Sequence, residues 1–164
     1  MLRTLLLALT LLFVGCSTKV SESSVLKPDR YYLNALRYTQ KGDLALSLEN
    51  RALIIATYLN PIEKKYQDGE WFFIRVYIDN DFSDDKKAGL FHPGYSLTLS
   101  GKKPLEVKQL SVDDLLVKKM PFTQKWYRYY LVKFPKVADK NLMLTFANPQ
   151  IGQIHLTFPN YDVY

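Results

Sequence analysis

The chain has 164 residues, of which 48% are hydrophobic and 14% aromatic, and this composition excludes intrinsic disorder for most of its length. Its 22 Lys and Arg residues outnumber its 16 Asp and Glu residues, but the excess is spread along the chain, which argues against the basic stripe of a nucleic-acid-binding protein. The one cysteine, Cys16, excludes an intramolecular disulfide and a cysteine-based metal site.

Residues 1–16 contain the three parts of a secretory signal. A positive charge at Arg3 precedes an apolar run from Leu5 to Val14, and Gly15 supplies a small residue before Cys16. A transmembrane helix needs about 20 apolar residues, so this run is too short to span a bilayer comfortably. We therefore expect residues 1–15 to be a cleaved signal peptide.

The end of this signal, Phe13-Val14-Gly15-Cys16, resembles the lipobox of bacterial lipoproteins, although Phe13 stands where that family most often has Leu. The resemblance implies that Cys16 becomes the first residue and carries diacylglycerol and a further acyl chain such as palmitate. Two or more acyl chains give stable membrane anchoring, because each buried methylene contributes about 0.8 kcal/mol. In lipoproteins of this kind, a residue other than Asp after the cysteine usually permits transfer to the outer membrane, so the resemblance with Ser17 implies an outer-membrane location. The alternative is an ordinary secretory signal that happens to contain a cysteine.

The mature chain begins with a polar tether and a short helix. Residues 16–27 are serine-rich after the lipidated Cys16 and are expected to be flexible, and residues 28–164 form the folded domain. Pro28 and Asp29 favour a helix start, and Gly42 is a suitable helix end. The predicted helix, 31–40, has one apolar face, formed by Tyr32, Leu33, Leu36 and Thr39.

The next segment, residues 43–61, is compatible with either strand or helix. Leu44, Leu46 and Leu48 alternate as in a strand, and the β-branched cluster at residues 54–57 also favours extended structure. A single helical repeat unit is the alternative, but one such unit cannot bury its own apolar face. Strand is the favoured interpretation.

From Glu70 onward the β pattern is clear. Further strands are predicted at 95–99, 105–110, 125–134, 142–146 and 153–158, with a helical turn at 113–119. The strand that begins at Glu70 has Phe72, Ile74, Val76 and Ile78 on one face and Trp71, Phe73, Arg75 and Tyr77 on the other. Short strands separated by Gly, Pro, Asn and Asp turns predict a mainly β fold: an antiparallel β-sandwich of immunoglobulin-like architecture with one short N-terminal helix.

Residues that would support catalysis are scarce, so the sequence predicts neither an enzyme nor a cofactor. His92 lies in a turn, and His155 is expected on the outer face of the last strand. Neither belongs to a zinc-binding spacing, and no serine lies in a Gly-x-Ser-x-Gly elbow. Four carboxylates crowd one loop, at Asp79, Asp81, Asp84 and Asp85, and clustered carboxylates suit calcium. The spacing departs from that of an EF-hand, and Lys86 and Lys87 offset the charge, so a solvated loop is favoured.

Two of the predicted strands, the one that begins at Glu70 and the one at 125–134, are apolar on both faces. A second apolar face must be covered by other residues or by a partner. That cover is either the N-terminal helix, through Tyr32, Leu33 and Leu36, or a partner molecule. With a partner, the face becomes a recognition surface in which Arg75 pairs with an acid or stacks on an aromatic ring. Its candidate residues are Trp71, Phe73, Arg75, Tyr77, Tyr127 and Tyr129. The intramolecular cover is favoured.

These features together predict a lipid-anchored protein of the bacterial cell envelope. Its membrane contact is the lipid on Cys16, and the outer membrane is favoured over the inner membrane. We expect a structural or assembly role through contact with another envelope protein, and no nucleic-acid partner. The alternative is a module that binds glycan or cell-wall polymer through exposed aromatic side chains.

Overall fold

Two antiparallel β-sheets account for most of residues 29–161, which are the residues described by the computed structural model. The strands are β1 (Thr39–Leu46), β2 (Glu49–Tyr58), β3 (Glu70–Ile78), β4 (Ser96–Leu99), β5 (Glu106–Leu110), β6 (Arg128–Phe134), β7 (Asn141–Asn148) and β8 (Gly152–Pro159). The larger sheet has the order β1-β2-β3-β6-β5, and the smaller has the order β4-β7-β8. The helices are α1 (Arg30–Arg37) and α2 (Leu115–Lys119), with a 3-10 turn at Gly89–Phe91. The predicted mainly β class is confirmed. The predicted signal peptide, Cys16 and tether lie outside the described residues.

The main core lies between the two sheets, as in a β-sandwich. The alternation along β3 turns Phe72, Ile74, Val76 and Ile78 towards the smaller sheet, and all four are buried. Phe72 is central, because its ring centroid lies 5.1 Å from that of Tyr58, 5.9 Å from Phe134 and 5.2 Å from Phe158. The inward faces of the two sheets therefore share one aromatic cluster.

A second, smaller core covers part of the outer face of the five-stranded sheet. Phe73 and Tyr129 of that face are buried beneath Ala35 of α1, Val117 of α2 and other residues of the same cluster. The cover is therefore intramolecular over this part. The prediction that Tyr32, Leu33 and Leu36 of the helix form this cover is wrong, because all three side chains remain exposed. The small side chain of Ala35 is the fully buried one, as a close approach of helix to sheet requires.

The helix α1 ends earlier than the sequence pattern indicates. Asp29 caps its start by accepting a hydrogen bond from the Tyr31 N–H. The chain leaves the helix at Tyr38, and the predicted helix end, Gly42, lies instead within β1. The ambiguous segment 43–61 is extended and forms a hairpin of β1 and β2. Ser47 and Leu48 connect these strands with φ values of 52° and 67°, the backbone of a tight turn that usually contains Asn or Gly.

The sheets meet along a seam between β1 and β8. The Gln40 side-chain amide forms two hydrogen bonds with the backbone of Thr157, as a neighbouring strand would. Its Oε1 accepts from the Thr157 N–H at 3.0 Å, and its Nε2 donates to the Thr157 carbonyl. Two residues further on, the backbone of Gly42 lies against the side chains of Ile154 and Leu156. The absence of a side chain at Gly42 is what permits this approach.

Candidate functional site

The recognition surface predicted from the sequence divides into a buried part and an open part. Phe73 and Tyr129 are buried in the second core and Arg75 is buried as well, so the chain's own residues cover these three candidates, in line with the favoured intramolecular cover. The rings of Phe73 and Tyr129 stack on each other, with their centroids 6.0 Å apart. The Arg75 guanidinium lies 4.9 Å from the Phe73 centroid. Packing by α1, α2 and residues 59–66 removes this part of the face from solvent.

Arg75 is fully buried and has only neutral hydrogen-bond acceptors. Its guanidinium donates to the Pro121 carbonyl and to Thr57 Oγ1, while Nε has no partner in the described part of the chain. Burial lowers the pKa of Arg75 to about 9, which still leaves it charged at pH 7. No carboxylate within residues 29–161 forms an ion pair with it, so its positive charge is uncompensated beneath the sheet surface.

Trp71 belongs to a separate site on the same face. Its indole Nε1–H donates to Asp68 Oδ1 at 2.7 Å, and its ring centroid lies 5.6 Å from that of Tyr66. Lys133 Nζ lies 5.3 Å from the centroid of the indole and also pairs with Asp68. The side chain is therefore half-buried and held by its own chain, apart from the open part of the face.

The open part of the face contains two adjoining hollows. The first, of about 460 Å³, is lined by Asn50, Leu53, Tyr77, Trp126 and Tyr127. The second, of about 420 Å³, is lined by Leu36, Thr39, Gln40, Lys41, Ile55, Phe122, Gln124 and Tyr127. Tyr127 belongs to both linings, so we describe the two hollows together as the aromatic groove. Volumes of about 300–1,000 Å³ are typical of sites that hold organic groups.

Two of the most exposed aromatic side chains flank this groove on one loop, residues 120–127. Trp126 is 63% exposed and Phe122 is 52% exposed. Phe122 has a φ of 59°, a conformation that a bulky residue adopts at a cost and that favours a functional role. The loop is nevertheless fixed, because the Tyr129 hydroxyl accepts from the Gln124 N–H at 2.9 Å and donates to the Gln124 carbonyl at 2.6 Å. The two aromatic rings are therefore presented by an ordered backbone.

Of the residues that line the groove, Tyr77 and Tyr127 were predicted as recognition residues from the sequence. Trp126, Phe122 and Leu53 were not. In the strand predicted at 125–134, alternation would place Trp126 on the face opposite Tyr127 and Tyr129, whereas β6 begins at Arg128. Residues ahead of the strand do not follow its alternation. The signal that would have found the loop is its composition, since it holds three aromatic residues beside Pro121.

The four loop carboxylates are engaged in separate contacts. Asp79 Oδ2 accepts from Arg51 at 2.9 Å, and Asp81 Oδ2 lies 3.2 Å from Arg128 Nε, while Asp85 also pairs with Arg128. Asp84 accepts from the Lys86 N–H at 3.0 Å. Within residues 29–161, no group of three potential metal-ligating side chains is close enough to hold an ion. Two arginines divide the acidic loop into separate ion pairs.

The two histidines lie outside the groove. His92 Nδ1 accepts from the Gly94 N–H at 2.9 Å, and its ring packs on Phe82 and Tyr95. His155 is exposed on β8, as expected, with its Nδ1 3.0 Å from Thr145 Oγ1.

A buried polar network lies at the start of β3. Glu70 is fully buried, and its carboxylate accepts from the Tyr58 hydroxyl at 2.6 Å, Asn60 Nδ2 at 3.2 Å and the Val137 N–H at 3.4 Å. Lys136 Nζ lies 3.9 Å from the same carboxylate. Because every contact is internal, this network fixes the connection after β2 to the segment after β6.

No protein-family model matches this chain, and neither a curated protein nor a solved structure matches it. Across residues 29–161, the helices are too short or too polar to cross a membrane.

Proposed function

We propose that this chain is an envelope lipoprotein that docks on another envelope protein through the aromatic groove. The observation that carries the docking role is the pair of ordered, exposed aromatic side chains, Phe122 and Trp126, at hollows whose linings combine apolar and polar residues. Aromatic side chains give large contact area at small conformational cost and are enriched among the residues that dominate binding energy. In this proposal the chain acts by binding and not by catalysis.

The anchoring part of the proposal rests on the sequence. The lipobox-like residues before Cys16, followed by Ser17, support a lipid anchor and a place at the outer membrane. We also propose an immunoglobulin-like sandwich architecture, with which the two antiparallel sheets are compatible.

The anchor is tested by feeding cells labelled palmitate and comparing the wild type with Cys16→Ala. We expect label on the wild type and none on the variant, together with release of the variant from the membrane fraction. Equal labelling of both proteins would refute the anchor at Cys16.

The docking role is tested by mild cross-linking of the full-length lipidated protein in membranes, followed by mass spectrometry. Trp126→Ala is the test variant, and Leu105→Ala is the control, because Leu105 is 65% exposed but does not line the groove. We expect one envelope protein in near-stoichiometric yield with the wild type and the control, and its loss with Trp126→Ala. Recovery unaffected by Trp126→Ala would refute docking through the groove.

Glycan binding is the second candidate, since the exposed indole of Trp126 lines the same hollow as the amide side chain of Asn50. Sugar rings stack on such aromatic surfaces, and amides bind their hydroxyls. Co-sedimentation with insoluble cell wall distinguishes the two. Wall binding by the wild type and Leu105→Ala that Trp126→Ala abolishes, without any recovered protein, would replace protein docking by glycan binding.

A further inference from the structure

We propose that the aromatic groove binds a partner segment that is both acidic and apolar: a bulky hydrophobic side chain next to one or more carboxylates. This inference rests on the proposed docking function and adds the chemistry of the partner.

The first step is the charge around the groove. Lys41 lines one hollow, and Lys125 lies beside Trp126 in a smaller adjoining hollow. Neither lysine forms an ion pair with any other residue in the 29–161 region, and neither of the two main linings contains an acidic residue. Asp43 is the register partner of the lining residue Leu53 across β1 and β2, and Asp81 lines the smaller hollow but is already bound to Arg128.

The second step is the buried cation behind the groove. Arg75 lies in the same sheet, with Ile55 as its direct neighbour across β2 and β3, and Ile55 lines the groove. Arg75 donates to Thr57 Oγ1, which lies 2.6 Å from Thr39 Oγ1, and Thr39 lines the groove as well. Charges interact more strongly in a poorly solvated interior than in water. A carboxylate seated in the groove would therefore gain from a charge that the fold leaves uncompensated.

The third step is the apolar part of each lining. Leu53 and Tyr77 line one, Ile55 lines the other, and Phe122 and Trp126 stand on the loop beside them. Interfaces gain most of their energy from bulky anchors that fill such hollows, and rim charges mainly set specificity and association rate. The groove therefore suits an apolar anchor flanked by acid, and an acid alone would leave its hollows unfilled.

The charge also argues against a second copy of this chain as the occupant. The chain has a formal net charge of +6, so two copies meeting at the groove would bring Lys41 and Lys125 of each towards like charges. Anionic lipid matches the charge, but a flat bilayer surface does not fill a hollow lined by aromatic side chains. A protein segment satisfies both the charge and the shape.

The test is selection of a phage-displayed library of random 12-residue peptides against the full-length lipidated protein in mild detergent, followed by fluorescence binding of the most enriched peptide. We expect enriched peptides to combine Asp or Glu with aromatic or large aliphatic residues. Trp126→Ala is expected to weaken binding about 30-fold, as loss of an anchor side chain does. Lys41→Glu with Lys125→Glu is expected to weaken it roughly fivefold and to remove the preference for acids on reselection. Leu105→Ala is expected to bind as the wild type does.

Several results would overturn the inference. Enriched peptides without an acidic bias, or with the same bias and affinity in the double lysine variant, would refute the charge argument. Binding of phosphatidylglycerol vesicles by the Cys16→Ala protein that Trp126→Ala abolishes, with no peptide enriched, would assign the groove to lipid. Self-association of the wild type that Trp126→Ala abolishes would assign it to a second copy.

The result is separable from that of the docking test. A cross-linked partner whose contact segment is basic would leave the docking role standing and refute this inference. Selection of acidic, apolar peptides with no envelope protein cross-linked would do the reverse.

Discussion

Substituting Gly42 by alanine perturbs the seam between β1 and β8 directly. An added Cβ would lie 2.4 Å from Ile154 Cγ2, about 1 Å short of the ordinary contact distance of 3.4 Å. Gly42 does not have a positive φ, so the backbone itself accepts alanine. Overpacking of a core typically costs about 1–3 kcal/mol, and the lower entropy of the unfolded alanine chain returns about 0.4–1 kcal/mol. We expect Gly42→Ala to lower the free energy of unfolding by about 1–2 kcal/mol.

Urea unfolding monitored by tryptophan fluorescence measures this loss, as a midpoint lowered by roughly 0.5–1 M for a slope of about 2 kcal/mol per M. Ile154 offers a matched pair of compensating changes. Ile154→Leu removes the Cγ2 methyl that the new Cβ would meet, whereas Ile154→Val keeps a methyl there. We expect the leucine change to restore about 1 kcal/mol in the Gly42→Ala background and the valine change to restore none. Equal compensation by both, or a Gly42→Ala variant as stable as the wild type, would contradict the seam.

Three further outcomes are expected. Glu70→Ala costs about 3–5 kcal/mol in equilibrium unfolding, and Glu70→Gln costs less because it keeps one acceptor oxygen; equal losses would contradict the buried network. Burial raises the pKa of Tyr130 to about 12, above its ordinary value of 10.0, so the free energy of unfolding falls as the pH rises from 10 towards 12. Tyr130→Phe therefore moves the alkaline unfolding midpoint to higher pH, and the surface change Tyr32→Phe leaves the midpoint in place. An equal shift of the midpoint in both variants would contradict burial of the Tyr130 hydroxyl as the cause. Phe73→Ala costs about 3–5 kcal/mol and Trp126→Ala less than about 1, measured by thermal unfolding, and a comparable cost would place Trp126 in the core.

The strands were predictable where a strand has one strongly apolar face. Phe72, Ile74 and Val76 alternate without interruption, and β3 has the predicted position and core face. The helix end was not predictable, because Gly42 has the features of a helix cap but is required by the close approach of β8. The turn at Ser47 and Leu48 was missed since neither residue is typical of its backbone conformation.

The candidate site was predictable only in part. Alternation assigned Tyr77 correctly to the outer face of the sheet, but it cannot tell which part of that face another segment covers. The cover depends on tertiary contacts of α1, α2 and residues 59–66, so the burial of Arg75 was not foreseeable. Trp126 was misplaced because its loop lies ahead of the strand, where period-two reasoning does not apply.

The seam also orders the events of folding. Gln40 and Thr157 are 117 positions apart, so β1 gains its contact with β8 only after the long segment between them has been made. Closing so long a loop is entropically costly and slow. A chain interrupted before β8 would leave Gly42 without Ile154 and the aromatic cluster without Phe158. Because β1 depends on β8, chains shortened before β8 would expose an open sheet edge and an apolar core, the two features that lead to aggregation.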